Sequence, residues 1–352
     1  MQKKFFPIAV ILFAFACKNE PAQNDEAALK PTVVTDTVFD DSDDPAIWID
    51  SANPANSFII GTDKHKENGG LYVFGLDGKI DRNRSVTGLK RMNNVDIAYG
   101  FNLNGTKTAI AVATERDRNS LRIFRLPDMA AVDSGGIEVF TKDSLRHPMG
   151  IALYTRPSDN AIFAIVGRKS GPAEGYLEQY LLSANDQGVV KGTLVRTFGN
   201  FSGKKEIESI AVDNELGFVY YSDEQFGIRK YYADPEKGND ELAVFGQGDF
   251  KEDNEGISIY TFDDGTGYIL VSDQSANRFN IYAREGEKSN PHKHTLIKSV
   301  PVSTNQSDGS DVTSFTLPGF KGGLFVAMST DKTFQLYPWD MIAGKAGLRQ
   351  RP

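Results

Sequence analysis

Carboxylates are the residues best placed to do chemistry in this 352-residue chain, and they recur in phase with one another. Asp40-Asp41-Ser42-Asp43-Asp44-Pro45 precedes one short apolar segment, Glu206 and Glu208 precede a second, and Asp253 and Glu255 a third. Asp308 and Asp311 precede a further one, Asp96 lies inside another, and Glu224 follows a strand-like run. Each acid alone reads as a turn former or a cap. As a set they would converge, and converging carboxylates repel one another unless cations sit between them. Hard oxygen donors at that charge density suit Ca²⁺, which accepts about six to eight oxygens in loose geometry.

Basic residues recur as well. Lys64 and Lys66 follow Gly61-Thr62-Asp63, Arg116 follows Thr114-Glu115, and Arg168-Lys169 follow Gly167. Beside an acidic, cation-filled mouth such groups would grip phosphate oxygens. Lys107, Lys204 and Lys205 read as solvated charges.

Other chemistries find little support. Of the four histidines, His147 lies in Arg146-His147-Pro148, which lacks the glycine and second arginine of a histidine-phosphatase motif. His292 and His294 fall in a Pro/Lys-rich stretch and read as solvated. Neither a Gly-x-Ser-x-Gly elbow nor a Walker A loop occurs, so no covalent nucleophile is expected. Cys17 is the only cysteine, which excludes an internal disulfide and a Cys-based zinc site. The net charge of -8 becomes -10 without Lys3 and Lys4, an acidic balance that argues against nucleic acid as a partner.

The elements that must position these residues show as an internal repeat. Segments of the form small-or-acidic, apolar, small, apolar centre on Ile47, Ile97, Ile151, Ile210, Ile257 and Val312, at intervals of 50, 54, 59, 47 and 55 residues. Each is followed by a turn rich in Asp, Asn and Gly, an apolar strand, and an alternating strand such as Leu71-Tyr72-Val73-Phe74 or Phe334-Gln335-Leu336-Tyr337. Fainter fourth strands include Ile137-Glu138-Val139-Phe140. Four short strands per repeat predict an all-β, six-bladed β-propeller with four-stranded blades. Thr32-Val33-Val34-Thr35-Asp36 would supply the last strand and close the ring. No long amphipathic helical period is found.

The N-terminus is read apart from the fold. Lys3 and Lys4 precede an apolar run at residues 5–16, too short to span a bilayer, and small residues lead into Cys17. Residues 1–16 are expected to be a lipoprotein-type signal peptide, with Cys17 lipidated, 17–30 a flexible tether and 31–352 the propeller domain. The expectation is an exported monomer held on a membrane only through its lipid, at the periplasmic or cell surface, or secreted.

Asp43-Asp44-Pro45-Ala46-Ile47-Trp48 and Asn93-Asn94-Val95-Asp96-Ile97 resemble the two signature segments of the β-propeller phytases. Glu178-Gln179-Tyr180, Asn254-Glu255-Gly256, Asp308-Gly309 and Val326-Ala327 extend the likeness from about Pro31 to the end. The resemblance implies a propeller with several Ca²⁺ ions at one end of its channel. It implies hydrolysis of phytate, usually as the calcium complex, by metal-activated water and without a phosphoenzyme, in enzymes of the 3-phytase type. Carried over by motif, Asp43, Asp44, Asp96, Glu208, Glu224, Asp253, Glu255 and Asp308 would be calcium ligands or water-positioning acids. Glu208, Asp253 and Glu255 would act catalytically, with Glu208 orienting the attacking water. Lys64 and Lys169 would hold substrate phosphates. Three positions depart from the family: Ala98 replaces an arginine, Met149 a tyrosine and Ser209 a glycine. Arg116 or Arg168 would then compensate for Ala98. Two further readings are a different calcium-dependent propeller hydrolase (a lactonase or esterase) and a non-catalytic propeller that binds phosphorylated ligands.

Overall fold

A computed structural model describes residues 27–144 and 146–351; the expected signal peptide and Cys17 lie outside the described residues. Six antiparallel sheets follow one another along the chain, each with four strands in simple order, the second carrying one extra short strand. The architecture is the expected six-bladed β-propeller. Its innermost strands are Ser42–Trp48, Met92–Leu103, Pro148–Thr155, Ile210–Asp213, Asn254–Thr261 and Ser310–Thr313.

The ring closes through Val33–Val34, which pairs antiparallel with the third strand of blade six, Val33 facing Leu336 and Val34 facing Gln335. At this seam Gly61 of blade one lies under the Phe334 ring, where a Cβ would come within 2.1 Å of a ring carbon. Packing against the propeller begins slightly before the expected start at residue 31, because Leu29 forms an isolated parallel bridge to Val302 and packs among apolar residues of blades five and six.

Six apolar clusters hold the blades together, one in each interface between neighbours. Successive strand residues point to opposite faces. In blade one, therefore, Phe58 and Ile60 pack toward blade two while Ile59 packs toward blade six. Both faces of every sheet are buried, which explains strands that read as near-continuous apolar runs.

One element was not expected. Trp339–Ala346 forms an eight-residue helix, ended by Gly347 in the left-handed region at φ 66°. Trp339 stacks on Tyr260 with ring centroids 3.7 Å apart, and Ile342 and Ala343 are buried beside it. A helix this short, with three buried residues, leaves no sustained period in the sequence.

Candidate functional site

In an antiparallel pair the start of one strand faces the end of its partner. Ser42 thus pairs with Asp63, Met92 with Glu115, Pro148 with Arg168, and Asn254 with Asp273. Residues before each inner strand and after each second strand therefore share one rim of the ring. One backbone hydrogen bond repeats there in all six blades: Lys64 to Asp41, Arg116 to Arg91, Lys169 to His147, Glu224 to Glu206, Gln274 to Asp253 and Thr330 to Asn305, each N–H donating to a carbonyl at 2.8–3.2 Å. The side chains so placed divide the rim by charge. Blade one contributes Lys64 together with Asp41, blades two and three contribute Arg91, Arg116 and Lys169, and blades four and five contribute Glu206, Glu224 and Asp253.

The acidic half gathers carboxylates that are far apart in the chain. Glu206, Glu208 and Glu224 each place an oxygen within 4.8 Å of the others, as do Glu224, Asp253 and Glu255. Asp43 and Asp308 stand next to them, joined through the Lys64 ammonium at 2.8 and 2.9 Å. Asn93 links Asp43 to Glu208, donating from Nδ2 to Asp43 Oδ2 at 2.9 Å and to Glu208 Oε1 at 2.5 Å. Gly309 allows the approach of blade six, since a Cβ there would lie 2.4 Å from Asp44 Oδ1.

Burial raises the affinity of these acids for protons. Glu224 is pushed up to about 8 by desolvation and by repulsion from Glu208 and Glu206, against the pull of Lys205. Asp43 and Glu255 are driven well above the usual carboxylate range by burial first and by neighbouring acids second. Glu208 moves the same way, mainly through burial. Burial also works against the Lys64 ammonium, but Asp43 and Asp308 outweigh it and raise its pKa. Glu224 Oε1 and Glu255 Oε2 are buried without a hydrogen-bond partner. An oxygen-only donor set with orphaned buried oxygens and mutual repulsion fits a hard divalent cation.

Asp44 and Asp96 lie deeper, in the channel, where they tie blades together. Asp44 accepts the Val95 N–H at 3.1 Å, and Asp96 accepts those of Ile97 at 2.7 Å and Leu153 at 2.6 Å. Asp311 does the same for Val312 and Ile47, at 2.7 and 2.8 Å. Ser209 accepts the Ile257 N–H at 2.8 Å through its hydroxyl and acts as a further tie.

Arg168 ends its strand near this rim, but its side chain is buried. It is 3% exposed, bonds Asp143 at 2.6 Å and packs on the Phe140 and Tyr176 rings, so its guanidinium is committed within blade three rather than free to compensate at Ala98 as expected. Its neighbour Lys169 reaches the rim and meets Glu206 at 2.5 Å. Lys205 is not a free surface charge, because its ammonium sits 2.7 Å from both Glu224 and Asp253. His294 is not solvated either; it is buried with Lys230, whose Nζ lies 3.1 Å from its Nε2. Glu206 and Asn93 stood in the converging acid set and in the second signature segment but were given no ligand or substrate role of their own, and Arg91 was not singled out from the sequence at all. Glu206 and Arg91 carried a usable signal, since each precedes an inner strand by a few residues.

A family model described as Phytase matches residues 8–343. The chain is similar to the 3-phytase of Bacillus subtilis (strain 168), with 30% identity over 92% of this chain and 87% of that protein. Among solved structures it is similar to one titled "Structure of Dos1 propeller", at TM-score 0.42 and 12% identity over 84% of this chain and 67% of that one, a likeness too loose to bear on function. The length matched by the family model and the 30% identity to a relative covered over 87% of its own length place the chain in a family: it belongs to the Phytase family.

Proposed function

We propose that this protein hydrolyses phosphate monoesters of phytate in a Ca²⁺-dependent reaction at the charge-divided rim. Family membership and the 3-phytase relative support the substrate, and the name of that relative supports the 3-phosphate as the group removed. The observation that carries the reading is the meeting of Glu206, Glu208, Glu224, Asp253 and Glu255 beside Lys64, Arg116 and Lys169 on one rim.

Glu206, Glu208, Glu224, Asp253, Glu255, Asp43 and Asp308 would hold the metal. Ca²⁺ bound there would neutralise phosphate charge and acidify a coordinated water. Lys64, Arg116 and Lys169 grip substrate phosphate oxygens and turn one ester toward the acids. Asn93 fixes Glu208 through Oε1, leaving the carboxylate to orient water in line with the ester and to take its proton. Water oxygen bonds to phosphorus as the P–O ester bond breaks, the proton taken by Glu208 is passed on to the leaving inositol oxygen, and the products are the inositol alcohol and inorganic phosphate. We further propose export and anchoring through a lipid on Cys17.

Phosphate release from phytate should require added Ca²⁺ and stop in EDTA, while Lys64→Ala and Lys169→Ala should raise KM. Saturable phytate binding without release would support a binding propeller instead. Activity indifferent to both lysines would support a hydrolase of another ester class.

A further inference from the structure

Lys205 occupies a place whose charge and geometry call for more than an ammonium can give. Its Nζ meets Glu224 Oε2 and Asp253 Oδ2 at 2.7 Å each, but reaches Glu255 Oε1 only at 3.9 Å. One positive charge therefore faces three carboxylates whose oxygens lie within 4.8 Å of one another. Glu224 is fully buried and Glu255 is 2% exposed, so water cannot make up the difference. Glu224 Oε1 and Glu255 Oε2 remain without a hydrogen-bond partner. A divalent ion carries twice the charge and takes more oxygens, so it satisfies this cluster better than the lysine does.

The lysine has the advantage of being tethered. Ser202 bonds both Asp223 carboxylate oxygens, at 2.8 Å from its N–H and 2.7 Å from its hydroxyl, and the Glu206 carbonyl accepts the Glu224 N–H at 3.1 Å. Lys205 lies between these two pins, which keeps its ammonium at high effective concentration beside the cluster. Its side chain is nevertheless 36% exposed, so it has a way out to solvent.

We propose that Lys205 is a tethered cation that competes with Ca²⁺ for the Glu224–Asp253–Glu255 cluster and sets the calcium concentration at which the rim loads. The proposal rests on the metal reading above and adds a regulator to it. Removing the ammonium has opposite consequences in the two states: without calcium it leaves three carboxylates uncompensated, and with calcium it removes a competitor.

The test uses the full chain stripped with chelator, as wild type, Lys205→Met and Lys205→Arg. Calorimetric titration with Ca²⁺ should show the Kd of Lys205→Met lowered by about tenfold or more, with Lys205→Arg near wild type. Melting curves should cross, Lys205→Met melting below wild type in EDTA and at or above it in millimolar Ca²⁺. Equal Kd values for wild type and Lys205→Met, or a Tm lowered equally in both conditions, would overturn the proposal while leaving the metal reading intact. A wild type that takes up no Ca²⁺ would sink both.

Discussion

Arg116 donates its backbone N–H to the Arg91 carbonyl at 3.1 Å, and the two guanidiniums stand close enough that Arg91 helps pull down the pKa of Arg116, second only to burial. Neither forms an ion pair among the described residues, although the rim beside them is crowded with acids. Arg91 holds a left-handed backbone at φ 56°, and its Nε is buried without a partner. Unpaired like charges on a strained turn mark a place prepared for an anion. Arg91→Ala should raise KM for phytate by about tenfold with kcat little changed, as removal of uniform binding does. Steady-state phosphate release checks it; an unchanged KM would remove Arg91 from the substrate site.

Glu208 should separate catalysis from stability. Glu208→Gln keeps the acceptor for Asn93 Nδ2 but cannot take a proton, so kcat should fall by at least about 100-fold. The same change removes a carboxylate that repels Asp43, Glu224 and Glu255, so Tm in EDTA should hold or rise. A parallel loss of both would make Glu208 a structural residue.

Arg168 and Lys169 should behave in opposite ways although they are neighbours. Arg168→Ala deletes a buried guanidinium between two rings and should cost roughly 2–4 kcal/mol of stability. Lys169→Ala should change stability by less than about 0.5 kcal/mol, as expected of an ion pair whose lysine is 43% exposed to solvent, and act on KM instead. Denaturant unfolding of both variants distinguishes them.

The acids also fix a pH dependence. Glu224 is raised to about 8, Asp311 to about 7 and Asp96 to about 6, all chiefly by burial, from ordinary values of 4.5, 3.8 and 3.8. Between the unfolded and folded values the native state binds more protons than the unfolded chain, so stability falls as pH rises. In EDTA, Tm should therefore drop by about 5 °C or more from pH 5 to pH 8. Ca²⁺ should flatten that slope by stabilising the ionised carboxylates. A Tm that rises with pH in EDTA would contradict the assignment.

Much of this arrangement was legible before the fold was seen. The inner strands begin within three residues of the segments centred on Ile47, Ile97, Ile151, Ile210, Ile257 and Val312, because burial on both sheet faces imposes an apolar pattern that repeats. Glu206 with Glu208, and Asp253 with Glu255, were legible as pairs because the antiparallel register carries whatever precedes an inner strand to the same rim. Lys205 was not, since only the path of its loop tells a lysine in a carboxylate cluster from one in solvent. Arg168 was misread for a related reason: two adjacent basic residues point to opposite environments, and their order alone does not say which is buried. Asp96 sat in the expected motif, yet its oxygens accept backbone N–H groups of two inner strands.

The central claim is that acids from separate blades hold divalent cations at one rim, and anomalous diffraction from crystals grown with Ca²⁺ tests it most directly. The account predicts peaks among Glu206, Glu208 and Glu224 and among Glu224, Asp253 and Glu255, with the Lys205 ammonium turned out of the second cluster. Peaks confined to the opposite rim, or none at these carboxylates at saturating Ca²⁺, would contradict it.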